Sequence, residues 1–116
     1  MKKVLNFIRS LPGVEEALHF DKTAFKINTK IIATYDEEHN RFCVKLSETE
    51  QDVFCRANKE TVSRVPNKWG KKGWTFFDAG TDINMLKEAI LCAFRSLAPK
   101  KLVDQLTAKR KREQHS

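Results

Sequence analysis

The chain has 116 residues, 41% hydrophobic and 32% charged, with 22 basic against 15 acidic residues and a net charge of +7. That mixture excludes a disordered or low-complexity chain and fits a single globular domain with one core. Its longest apolar runs are short, as in Ile31-Ile32-Ala33, so neither a bilayer-spanning helix nor a secretory leader is expected.

In chain order, Val4, Leu5, Ile8 and Leu11 recur at helical spacing until Pro12-Gly13, which predicts a helix over roughly 2–11. VEEAL reads as a short turn before His19. Phe25 and Ile27 alternate with Lys26 and Asn28, Asn28-Thr29-Lys30 turns the chain, and IIATY follows as a second strand. DEEHN is a polar, solvated hairpin tip, and RFCVKL alternates Phe42, Val44 and Leu46 against Arg41, Cys43 and Lys45. Links this short imply an antiparallel meander, because parallel crossovers need many more residues. Ser47 and Glu50 have capping-box spacing for the helix EQDVFCRAN, whose Val53, Phe54 and Ala57 share a face.

A short strand near Val62–Val65 ends at Pro66. After the loop PNKWGKKGW comes the strand WTFFD, in which Trp74 and Phe76 alternate toward a core. Thr81 or Asp82 can cap a helix with Ile83, Leu86, Ile90, Ala93, Phe94 and Leu97 as its apolar stripe. Pro99 can open a last helix carrying Leu102, Val103 and Leu106, and KRKREQHS then reads as a frayed basic tail. The order α-β-β-β-α-β-β-α-α predicts a two-layer α+β domain, an antiparallel sheet with helices on one face. Its bounds are 1–108, with 109–116 as tail.

Cysteines 43, 55 and 92 are odd in number and lack CxxC spacing, which suggests neither a disulfide framework nor structural zinc. A reduced, cytoplasmic setting with unpaired thiols is the simplest expectation. No metal or cofactor motif occurs: there is no HExxH, no P-loop and no GxGxxG. His19 with Glu15 or Glu16 could do acid–base chemistry, but no nucleophile is placed beside it, and no catalytic residue is assigned.

The positive charge is localised. Arg64 to Trp74 holds four basic residues and no acid, and Pro99 to Ser116 holds six basic and two acidic. Such clusters favour a polyanionic partner or simply solubility.

Four segments, SLPGVEEALHFDKTAFKINTKIIATYD, RFCVKLSETEQDVF, VPNKWGKKGWTFFD and SLAPKKL, together resemble the MmcQ/YjbR family of small bacterial proteins. The resemblance spans about Phe7 to Leu102, and its most specific parts are LPGVEE, WGKKGW and APKKL, in order. It implies an α+β fold described as a double wing and a DNA-binding role that is itself an expectation from fold and charge.

The resulting expectation is a non-enzymatic protein that binds nucleic acid, duplex DNA first, with little sequence specificity and no membrane association. Lys68, Lys71, Lys72, Lys100 and Lys101 would meet phosphates, and Arg110, Lys111 and Arg112 would add non-specific affinity. Trp69 could stack on a base or fold back over the sheet; Gly70 and Gly73 permit either. The alternative is a protein-interaction module presenting a sheet edge or face, with Phe20, Phe25, Trp69 and Phe77 as candidate exposed aromatics.

Overall fold

The computed structural model describes residues 1–114; His115 and Ser116, the end of the expected tail, lie outside them. The chain runs α1 (Lys2–Arg9), β1 (Val14–His19), β2 (Lys22–Ile27), β3 (Lys30–Asp36), β4 (Arg41–Lys45), α2 (Glu48–Ala57) and β5 (Val62–Arg64). It continues through α3 (Lys68–Lys71), β6 (Trp74–Phe77), α4 (Ile83–Leu97) and α5 (Lys100–Gln114). The six strands form one antiparallel sheet in the order β1-β2-β3-β4-β6-β5.

This is the expected α+β sheet in the expected order, with two additions. VEEAL is the edge strand β1, paired with β2 from Val14↔Ile27 to His19↔Lys22, and the WGKKGW loop contains the single helical turn α3. Strand β1 escapes the sequence reading because four of its six residues are exposed, leaving no clean alternation.

One face of the sheet is buried. Phe25, Ile27, Ala33, Phe42, Val44 and Phe77 form the core with Val4 and Ile8 of α1 and Leu86, Ile90 and Phe94 of α4. Register along β3 is irregular: Phe25 pairs with Ala33 but Lys26 with Ile31, which leaves Ile32 as the extra residue of a bulge. Ile32 and Ala33 are both fully buried as a result.

Helix α2 begins on the expected capping box. The Ser47 hydroxyl accepts from the Glu50 N–H at 3.1 Å, and the Glu50 carboxylate accepts from the Ser47 N–H at 3.0 Å. Its inward face differs from expectation. Val53 is 59% exposed and Ala57 is also exposed, whereas Gln51 is fully buried and Phe54 meets Phe77 edge-on. A polar residue is inside because it has buried acceptors to satisfy. Asp82, rather than Thr81, caps α4 by accepting from the Met85 N–H at 3.0 Å. Leu106 of α5 joins the core, and the helix continues through KRKREQ where a frayed tail was expected. Lysine, arginine, glutamate and glutamine are good helix formers, so propagation from a docked first turn extends through them.

Candidate nucleic-acid interface

The second sheet face carries the cross-strand row Ala17–Ala24–Thr34–Cys43–Phe76–Ser63, one residue from each strand. Arg41, Lys45 and Trp74 share this face by alternation along β4 and β6. Trp74 and Phe76 therefore point away from the core, and Thr75 and Phe77 point into it, a correction of the expected register. WTFF is aromatic at both parities, and the fully buried Thr75 is held inside by hydrogen bonds that a one-dimensional pattern does not reveal.

The loop is seated on this face by its own backbone. Asn67, in the left-handed region at φ 72°, accepts from the Trp69 N–H at 3.1 Å. Gly70 approaches so closely that a Cβ there would lie 2.0 Å from the Val65 carbonyl oxygen. The Gln51 amide nitrogen donates within 2.9–3.1 Å of the Gly70 carbonyl, the Trp74 carbonyl and Thr75 Oγ1. The Thr75 hydroxyl in turn donates to the Gly73 carbonyl at 3.0 Å. Lys45 donates to the Lys72 carbonyl.

The outcome is a groove of about 350 Å³ lined by His19, Lys22, Thr34, Cys43, Trp69 and Phe76, with Ile31, Val65 and Trp74 completing its floor. Trp69 is 48% exposed, so it neither folds away completely nor projects freely. The Lys72 and Lys68 ammonium groups lie 5.0 and 5.8 Å from its ring centroid, a cation–π arrangement. At the groove's border, the Arg41 guanidinium carbon sits 3.9 Å from the Phe76 ring centroid. The Arg41 Nε is buried and has no hydrogen-bond partner among the described residues. Its cross-strand neighbour Asp36 is turned to His39, 2.7 Å away.

Burial pushes the Cys43 thiol up to about 12, so it stays protonated at neutral pH and is a poor nucleophile. Glu16 is engaged by Arg9, which leaves His19 without that carboxylate for acid–base chemistry. Asp36, Glu38 and His39 bring potential metal-ligand atoms within 4.8 Å of one another at the β3–β4 tip. Within it Asp36 is paired with His39, and Glu38 and His39 are exposed.

Of the expected contact residues, the structure unites Lys68, Trp69, Lys71 and Lys72 on α3 and its C-cap, all exposed. Lys100 and Lys101 stand elsewhere. They open α5, whose Leu102 lies against Gly13 and whose Leu106 packs into the core, on the helical side of the sheet. Arg110, Lys111 and Arg112 extend along that same helix, with Arg110 beside Phe7 of α1 and Lys87 of α4. The open-face residues Lys22, Arg41 and Lys45 were missed as contacts. For Arg41 and Lys45 the signal was the polar parity of RFCVKL, legible as outward-facing but not as bordering Trp69; Lys22, on β2, had no such signal. Among the candidate exposed aromatics, Phe25 and Phe77 are fully buried, while Phe20 is 91% exposed.

Phe20 occupies the β1–β2 turn with φ 60°, a conformation a bulky side chain adopts at a cost. Phe20→Gly should therefore raise stability by roughly 0.5–1 kcal/mol, read as a higher urea midpoint. A lower midpoint would mean that the ring packs usefully despite its exposure.

A family model described as YjbR matches residues 9–96. The fold is similar to that in the crystal structure of Deinococcus radiodurans protein DR2400, which has a DUF419 domain. The TM-score is 0.70 at 14% identity, over 80% of this chain and 74% of that one. No curated protein matches the sequence.

Proposed function

We propose a function for a chain that belongs to the YjbR family: non-enzymatic binding of nucleic acid through its phosphates, with little sequence specificity. The observation that carries the reading is Trp69, half exposed between Lys68 and Lys72 at the mouth of an apolar groove. Phosphates supply most non-specific affinity, and lysines meet them as point charges without reading bases. Lys100 and Lys101 stand apart from this groove, so they and the α5 cations are assigned a secondary, purely electrostatic part.

The test is fluorescence anisotropy of a labelled random-sequence nucleic acid at several salt concentrations. Lys71→Glu combined with Lys72→Glu should weaken binding to all sequences alike, by tenfold or more at low salt. It should also flatten the log–log salt dependence, by about 0.9 for each phosphate left unneutralised on a duplex and about 0.7 on a single strand. Unchanged binding would remove the loop from the site. Loss of binding on deleting 109–116 alone would transfer the activity to the end of α5.

A second reading, a protein-interaction module, is favoured by the β1–β2 hairpin, where Leu18 on the edge strand is 86% exposed and Phe20 in the turn 91% exposed. Self-association in sedimentation that persists at high salt supports it over the first.

A further inference from the structure

We infer that the open sheet face takes an unpaired nucleic-acid strand, with bases against Trp69 and the Arg41–Phe76 pair and phosphates on Lys22, Lys45 and Lys72. This deepens the nucleic-acid reading above and rests on it.

The first argument is accessibility. In a duplex the base faces are stacked on one another, and its outer surface offers phosphates, sugars and base edges. Trp74 and Phe76 lie along the groove with Val65, Ile31 and Cys43, and the half-exposed Trp69 stands at its mouth. A rigid duplex leaves such a floor unfilled, whereas a splayed base covers it. Sheet platforms of this kind hold about two or three stacked bases. Three strand spacings of about 4.8 Å separate β2 from β6, roughly 14 Å of platform across the sheet.

The second argument is the state of Arg41. Its guanidinium already stacks on Phe76, and its Nε is buried without an acceptor among the described residues. A buried donor left unpaired is costly and calls for a partner. A guanidinium plane is itself a stacking surface for a base, and its free N–H groups suit a phosphate or a base carbonyl.

Charge supplies the third argument. Lys22, Arg41, Lys45, Lys68 and Lys72 border the floor. Asp36 is turned to His39, and Lys22 holds an exposed ion pair with Asp21 at 3.3 Å that a phosphate would replace. Glu15 stands opposite Lys26 on the outer strands. An apolar floor inside a cationic border is complementary to a chain of flat rings on a phosphate backbone.

Both tryptophans of the protein line the groove, so intrinsic fluorescence reports its occupancy. The experiment titrates the full chain with oligothymidylate, which cannot self-pair, and with a mixed-sequence duplex of equal length at the same salt. The single strand should bind at least about tenfold more tightly and quench the tryptophan emission. Trp69→Ala and Arg41→Met should each weaken it about tenfold. Trp69→Ala should do so without changing the salt slope, because it removes stacking and no charge. Phe76→Leu, which keeps an apolar side chain under Arg41, serves as a second floor variant should Trp69→Ala unfold. Duplex binding as tight as or tighter than single-strand binding, indifferent to these floor variants, would overturn the inference and leave the phosphate-binding proposal standing. Binding of neither polymer would remove both.

Discussion

Gly73→Ala should lower stability by about 3 kcal/mol or more, a fall of roughly 10–15 °C in melting temperature for a domain of this size. Two independent features make the position intolerant. Its φ of +104° lies in a region that side chains rarely adopt, and a Cβ would stand 1.8 Å from the Leu46 carbonyl oxygen. That oxygen is backbone and cannot swing aside. The Leu46 N–H meanwhile donates to the Gly73 carbonyl at 3.0 Å, so separating the chains breaks the hydrogen bond that docks the loop. Gly73 joins α3 to β6, and relief of the clash should also displace Trp69 from the groove mouth. Equilibrium urea denaturation and tryptophan emission read both effects. A change within 0.5 kcal/mol would show that the loop is not held as described.

Gln51→Ala is expected to cost a comparable amount, about 3 kcal/mol. The side chain is fully buried on α2, and its amide nitrogen serves the Gly70 carbonyl, the Trp74 carbonyl and Thr75 Oγ1 together. Removing it takes one of two hydrogen bonds from each of these groups and opens a cavity at a fully buried position. The Gly70 carbonyl is left with the Gly73 N–H, the Trp74 carbonyl with the Val65 N–H and the Thr75 hydroxyl with the Gly73 carbonyl. Gln51→Glu separates this account from simple loss of volume. The carboxylate has the right size but donates nothing and faces three oxygens, so its pKa should be raised above the ordinary value of about 4.3. A raised acid means that the folded state binds more protons, so the penalty should grow as pH rises through that ordinary value and shrink below it. A Gln51→Glu variant whose stability deficit is the same at pH 4 and pH 7 would sink the hydrogen-bond explanation. Both substitutions should weaken nucleic-acid binding by loosening the platform, whereas Trp69→Ala should weaken it with the fold intact.

These two positions carry much of the local architecture, and they differ in how visible they were. The glycine had a signal, since Gly70 and Gly73 within WGKKGW announced a loop needing positive φ or close backbone approach. Gln51 had none. In EQDVFCRAN the apolar residues Val53, Phe54 and Ala57 suggest the inward face, yet only Phe54 packs inward. Hydrophobic periodicity locates apolar faces, and it is blind to a polar side chain whose partners come from segments nineteen to twenty-four residues away.

From the sequence by itself came the α+β class, the antiparallel meander, the capping box at Ser47–Glu50 and the cationic loop around Trp69. All of these depend on near neighbours: alternation with period two, turns too short for crossovers, and a cap three residues from its partner. Tertiary structure alone decided which face of WTFF looks inward, that VEEAL completes the sheet edge, and that Lys100 and Lys101 ride on a helix away from Trp69. It also placed Lys22, Arg41 and Lys45 beside that tryptophan. Each of these follows from pairing between strands distant in sequence, where hydrogen-bond register and burial are set jointly by both partners. A strand aromatic on both faces has no preferred side until Thr75 finds Gln51, and a cation has no role until the sheet sets an aromatic ring beside it.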